Sequence, residues 1–104
     1  MNEKEEGHVY VLANYSGGVS PLDNTTAQQL SFMKKVNGAI VEEGTTNEEV
    51  LKMMIHRMNY LQGKFPCREN AIVITKLEEC LMWLNYRTSK RVEQGVEGKD
   101  IAHK

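Results

Sequence analysis

A long helical pattern from Phe65 to Glu97 is the feature that most restricts how this chain can fold. Apolar residues recur in it at intervals of three and four, which places them on one face of an α-helix: Ala71, Ile74, Leu77, Leu81 and Leu84. Other apolar residues widen that face beyond a single stripe: Ile72, Val73, Cys80, Met82 and Trp83. Because one short neighbouring helix cannot cover so wide a surface, the pattern predicts a second protomer.

Polar residues mark both ends of this helix. Asn70 lies on the line that continues through the leucines, and the line ends at Arg87 and Thr88. With a rise of about 1.5 Å per residue, Asn70 and Arg87 lie about 25 Å apart, so they cannot contact one small ligand within one chain. Two such helices packed antiparallel would bring the start of one to the end of the other. The alternative is that Asn70 caps the helix and Arg87 is a solvated cation that the helix dipole favours.

The chain before the helices predicts a β region over residues 8–44. His8–Ala13 alternates as a short strand does, and a loop rich in Gly, Ser and Asn follows it. Gln28–Lys34 and Ala39–Glu43 predict two further strands. Asn37-Gly38 lies between them and is a preferred pair for a tight two-residue hairpin turn.

A first helix is predicted from about Asn47 to Gln62. Thr46 and Glu49 fit a capping box at its start, and Gly63 is expected to end it. Its apolar face consists of Val50, Leu51, Met54, Ile55, Met58 and Leu61. The second helix follows after Pro66 and is expected to end near Gly95, so the two helices form an antiparallel hairpin.

These elements predict an α+β fold in one domain, residues 1–104. A short N-terminal antiparallel β-hairpin or meander (8–44) precedes a long antiparallel α-helical hairpin (46–98), and residues 1–7 and 99–104 are expected to be flexible. A two-layer core of this size rarely contributes more than ~3–5 kcal/mol, which favours an oligomer that covers the remaining apolar surface.

The composition excludes several classes of function. A net charge of −1 gives no basic excess for binding DNA or RNA polymers, and no apolar run approaches the ~20 residues that cross a membrane. The histidines show no metal-ligand spacing with either cysteine. Cys67 and Cys80 lie about 20 Å apart on one predicted helix, too far for a disulfide, which favours reduced thiols in a cytosolic protein.

No catalytic pattern is present either. Glu78 and Glu79 are adjacent on a helix, so their carboxylates point about 100° apart and cannot act as a facing pair. Phosphate-binding loops and nucleophile elbows are absent from the sequence. The sequence therefore predicts a protein that is not an enzyme and has no cofactor or metal.

The remaining candidates are side chains suited to binding. They fall near the hairpin tip, near the far end of the second helix and near the β-turn: Tyr60, Arg68 and Asn70; Arg87, Thr88 and Arg91; and Lys35. An aromatic ring that stacks on a base, an amide that reads a polar edge and arginines that hold phosphates would suit a nucleotide-like anion. Two alternatives stay open: a structural or interaction protein whose long helix docks a larger partner, and an enzyme that degrades a cyclic nucleotide.

Three stretches resemble a phage family. CRENAIVITKLEECLMWL and NYRTSKRVEQGVEG, with LSFMKKVNGAIVEEGTTNEEVL upstream, are similar to the helical-hairpin domain that the first type of Thoeris anti-defence proteins shares with the second type of anti-CBASS proteins. The resemblance covers about Gln28–Gly98. It implies a protein that acts as a sponge in the host cell cytoplasm, binding cyclic nucleotide immune signals without cleaving them.

The resemblance also implies particular ligands, an assembly and site residues. The ligands are glycocyclic ADP-ribose of Thoeris and cyclic di- or trinucleotides of CBASS, held between protomers of a homohexamer built from three dimers. Tyr60 takes the place of a stacking aromatic residue, and Asn70 matches the asparagine of the REN motif. Arg87 and Thr88 match the RT pair, and Lys35 falls near a basic position. The segment Glu93-Gln94-Gly95 and Lys99 depart from the family pattern.

Overall fold

A computed structural model of the chain describes residues 1–15 and 27–93. They form five strands followed by two helices, which confirms the predicted α+β class and the order of the elements. The chain divides into two compact units, Met1–Thr46 and Asn47–Lys104, and this division falls beside the predicted boundary between β region and helical hairpin. The oligomer stays a prediction.

The first unit contains a three-stranded antiparallel sheet in the order β1 (Asn2–Glu5), β2 (Val9–Ala13), β3 (Ala27–Ser31). Val11 lies opposite Gln29 in the central strand and its side chain is fully buried. Residues 1–7, which are expected to be flexible, include β1, and β1 pairs with β2. Its sequence is polar and lacks the apolar alternation of a half-buried strand, so only its pairing with β2 reveals it.

The predicted hairpin turn is confirmed. Asn37 and Gly38 have φ values of 51° and 81°, as a type I′ turn requires, and they join β4 (Lys34–Val36) to β5 (Ala39–Glu42). The single strand predicted over Gln28–Lys34 is wrong. It is divided between β3 and β4.

The close approach of two backbone segments at Gly44 explains this division. Thr45 N donates to Ser31 O at 2.9 Å, and Met33 N donates to Thr45 O at 3.0 Å, so the chain between β3 and β4 pairs with the segment after β5. A Cβ on Gly44 would overlap the backbone of Phe32 and would lie 2.6 Å from Met33 N. Only a glycine allows this approach, and the approach interrupts the predicted strand.

The second unit begins with helix α1 (Asn47–Lys64), directly after Thr46. All six residues of the predicted apolar face are half-buried, whereas most of the remaining α1 positions are exposed. Gly63 does not end the helix, as predicted, but lies inside its last turn. The N–H of Phe65 continues the pattern by donating to Leu61 O at 2.8 Å.

Helix α2 (Arg68–Glu93) returns after a connection of residues 65–67 and packs on α1. Apart from Lys90, its less exposed residues recur at intervals of four and three: Asn70, Ile74, Leu77, Leu81, Leu84, Thr88 and Arg91. The predicted leucine line with Asn70 and Thr88 is therefore confirmed. Ala71 and Arg87, predicted to lie on this face and at its end, are exposed. The predicted end of the helix near Gly95, the tail 99–104 and most of the predicted loop lie outside the described residues.

Apolar side chains also occupy the outer surface of α2. Ile72, Met82, Trp83 and Tyr86 are exposed, Trp83 by 62%. The rings of Trp83 and Tyr86 meet edge to face at 5.9 Å, and Lys90 Nζ lies 5.6 Å from the centre of the Tyr86 ring. We call Ile72, Met82, Trp83 and Tyr86 the outer patch. In the part of the chain that is described, neither helix combines the length and hydropathy needed to span a bilayer.

Candidate ligand-binding site

The hairpin tip carries three of the predicted site residues. Tyr60 lies in the last two turns of α1 with 53% of its surface exposed, and Lys64 Nζ lies 5.2 Å from the centre of its ring. Arg68 is the exposed first residue of α2, and Asn70 is half-buried two residues later. An exposed aromatic face, two cations and an amide therefore occur within a short stretch around the turn, which suits a planar anion.

Gln62 and Cys67 connect the two sides of this tip. Gln62 Nε2 donates to Cys67 O, and Cys67 N donates to Gln62 Oε1, each at 3.0 Å. Cys67 Sγ in turn accepts the N–H of Asn70 at 3.4 Å. Gln62 was not among the predicted site residues. Its position six residues before the start of α2 carries no recognisable motif, so no sequence signal could have found it.

The far end of α2 carries the other three predicted residues of the helical hairpin. Arg87 is exposed, Thr88 is half-buried and Arg91 is buried, with 8% of its surface exposed. Arg91 also takes part in an interaction within the chain, so it is not a free residue. The helix is continuous from Asn70 to Arg91. The structure therefore does not bring the two groups together within one chain.

Lys35 lies in the first unit. It is half-buried in β4, where it pairs with Ile40 of β5, while its neighbour Lys34 makes an ion pair with Glu5 at 3.1 Å. The ammonium group of Lys34 is therefore already paired with the carboxylate of Glu5.

Packing of the two helices also forms a groove that the sequence did not predict. It has a volume of about 670 Å³, and its apolar lining includes Ile55, Leu81 and Met82, which is also a residue of the outer patch. Lys52, His56 and Asn59 recur at intervals of four and three along α1 on its rim. That spacing was visible in the sequence, but the facing residues of α2 depend on how the helices pack.

Within residues 1–15 and 27–93, no three His, Cys, Asp or Glu side chains are arranged to hold a metal ion. Cys67 and Cys80 are both free and exposed. Glu79 makes an exposed ion pair with Lys76 at 3.7 Å, as expected of a solvated helix face.

A known protein family matches the part of the chain that contains most of the helical hairpin. The family model described as "Acb2/Tad1, hairpin domain" matches residues 33–89, more than half of the chain, from just before β4 through most of α2. A protein named "Thoeris anti-defense 1", from Bacillus phage SBSphiJ7, is 52% identical over 65 residues, which are 59% of this chain and 46% of that protein. The chain thus spans about half the length of this curated relative. Both matches confirm the resemblance seen in the sequence, and the chain belongs to the Acb2/Tad1 hairpin-domain family.

Proposed function

We propose that this protein counters bacterial antiphage immunity by binding a cyclic nucleotide signal and holding it intact in the host cell cytoplasm. The name of the relative from Bacillus phage SBSphiJ7, Thoeris anti-defense 1, supports an anti-defence role directed at Thoeris. The ligand we assign first is glycocyclic ADP-ribose. Cyclic di- and trinucleotides of CBASS are the second ligand class.

The observation that carries this proposal is the arrangement of polar residues on α2. Asn70 begins the line of less exposed residues on α2, Thr88 and Arg91 end it, and the helix between them is unbroken. A ligand that contacts both ends must therefore lie between protomers. We propose a homo-oligomer, a dimer of which three form a hexamer, in which an antiparallel neighbour completes each site.

The side chains at the two ends have complementary chemistry. The exposed ring of Tyr60 offers a stacking surface for a purine, and the amide of Asn70 can read a polar edge. The exposed guanidinium of Arg87 presents a planar fork that matches phosphate oxygens. None of these roles requires a nucleophile, so ligand release in intact form is the expected outcome.

A sponge depletes its ligand stoichiometrically, so it must bind tightly at low signal concentration. A sub-micromolar Kd corresponds to about −8 kcal/mol or better. Stacking combined with charge-assisted hydrogen bonds in a pocket between protomers can provide a free energy of this size.

The test is calorimetric titration with glycocyclic ADP-ribose, followed by heat denaturation and mass measurement of the released ligand. We expect sub-micromolar binding and an unchanged ligand mass. A changed mass would identify an enzyme and overturn the proposal. If glycocyclic ADP-ribose does not bind, the same titration with cyclic di- and trinucleotides decides whether the CBASS signals are the ligands.

A second candidate function is docking of a larger partner protein through α2. The outer patch favours it, because large apolar side chains on the surface of a helix mark interaction sites. This function predicts that no cyclic nucleotide binds and that the outer patch is covered by a different protein. Absence of binding to every ligand named above would therefore favour it over the sponge.

A further inference from the structure

One side chain holds the connection between the two helices together. Gln62 lies in the last turn of α1, and its amide makes two hydrogen bonds with Cys67, one to the backbone N–H and one to the backbone carbonyl. Gln62 thus pairs with Cys67 as a neighbouring strand would, accepting from one backbone group and donating to the other. This pairing sets where Cys67 lies relative to the end of α1.

Cys67 in turn makes hydrogen bonds with the first turn of α2. It precedes the first residue of the helix, and its Sγ accepts the N–H of Asn70, which is the contact of an N-cap side chain with the third helical residue. Its carbonyl also accepts the N–H of Ala71 at 3.2 Å, the first hydrogen bond of the helical ladder. Every hydrogen-bonding group of Cys67 is therefore engaged, and all of them connect Gln62 to the start of α2.

We propose that Gln62 is a positioning residue for ligand binding: through Cys67, it holds Asn70 at the height and orientation that the ligand requires. The inference rests on the proposed function, since Asn70 is a ligand-binding residue there. Gln62 itself does not contact the ligand. Because the hydrogen bonds lie at the surface of the chain, water can replace them with little net cost, so their loss shifts the tip more than it unfolds the hairpin.

The experiment compares Gln62→Ala with Gln28→Ala in the full-length protein. Gln28 is a matched control, because its amide donates one exposed hydrogen bond to Asn14 within the three-stranded sheet and none to the helical hairpin. Calorimetry with glycocyclic ADP-ribose measures affinity, light scattering measures the assembled mass, and amide exchange followed by mass spectrometry measures protection of residues 67–70.

We expect Gln62→Ala to weaken binding about tenfold, equivalent to ~1.4 kcal/mol, while Gln28→Ala binds as the unmodified protein does. Amides 67–70 should exchange faster in Gln62→Ala alone, at unchanged assembled mass. Adding Cys67→Ser should recover part of the affinity, because serine is a strong N-cap residue and holds Asn70 without help from Gln62. Weaker binding at unchanged assembled mass is the result that a purely structural role would not produce.

Equal affinity of Gln62→Ala and Gln28→Ala would overturn the inference and leave the proposed function standing. If Gln62→Ala fails to fold or assemble, Gln62→Glu is tested, because it keeps the acceptor for Cys67 N–H. Loss of folding or assembly in both would assign Gln62 a structural role and also overturn the inference. Absence of binding by the unmodified protein is a separate result: it defeats the assignment of this ligand, and with it the inference.

Discussion

At the scale of single residues, the exposure of each side chain on α2 divides the candidate site into two kinds. Arg87 is exposed, so it can contact a ligand without rearrangement of the helical hairpin. Thr88 and Arg91 are less exposed, and Arg91 already has partners within the chain. Arg87 is therefore the stronger candidate for direct contact with a phosphate.

We expect Arg87→Ala and Asn70→Ala each to weaken binding severely while leaving the assembly intact. Loss of a hydrogen bond to a charged group costs about 2–3 kcal/mol, or roughly a hundredfold in affinity. The affinity of Arg87→Lys should lie between those of the unmodified protein and Arg87→Ala, because lysine keeps the charge but not the planar fork. Calorimetry and light scattering on each variant test this, with Arg57→Ala, an exposed arginine of α1, as control. A variant that loses its oligomer would show that the replaced residue is structural.

Replacing Gly44 or Gly63 by alanine should change the free energy of unfolding in opposite directions. Gly44→Ala places a Cβ against the backbone of Phe32 and 2.6 Å from Met33 N, and backbone atoms cannot yield as a flexible side chain can. We expect it to lower the free energy of unfolding by about 2 kcal/mol. Denaturation monitored by circular dichroism gives the value, and an unchanged midpoint would contradict the close approach of the two segments.

Gly63→Ala should raise stability instead. Gly63 is helical, and a Cβ there would meet nothing within 4 Å. Alanine is more favourable than glycine inside a helix by about 0.5–1 kcal/mol. The same denaturation experiment measures the gain. A lower midpoint would mean that another protomer packs against this position.

At the scale of elements, local patterns were sufficient where the physical cause was local. The Asn37-Gly38 turn follows from two adjacent residues that tolerate positive φ, and both helices follow from the interval between apolar residues. The prediction of a single strand over Gln28–Lys34 was wrong, because the strand is interrupted at Phe32 and Met33. This interruption depends on Gly44 and Thr45, which lie more than ten residues further along the chain. Strand β1 was missed for the same reason, since it exists through pairing with β2.

At the scale of the whole molecule, the outer patch is the feature for which we expect a partner. Trp83 is 62% exposed and the other residues of the patch are exposed beside it. The charged side chains of Lys76 and Glu79 lie on the same face of α2, between Ile72 and the other three residues of the patch. Large exposed apolar side chains on one helix face are typical of an interface, and a second copy of this chain is the occupant that the proposed hexamer supplies.

We therefore expect Trp83→Glu to dissociate the assembly, because burying an unpaired carboxylate costs several kcal/mol. Sedimentation velocity over a dilution series measures the effect, with Lys52→Glu, an exposed change on α1, as control. Trp83 is the only tryptophan, so its emission should shift to longer wavelength as the unmodified oligomer is diluted. If Trp83→Glu sediments as the unmodified protein does, the outer patch is not an interface between protomers.

The sequence by itself determined the α+β class, the hairpin turn, both helices and the line from Asn70 to Thr88, because turn chemistry and helical periodicity act between near neighbours. Tertiary structure alone decided three further features. These are the pairing of β1 with β2, the burial of Arg91 and the hold of Gln62 on Cys67. Each depends on which segments meet after the chain has folded, and a strand edge, a buried cation or a bridging amide leaves no periodic signal in the residues that form it.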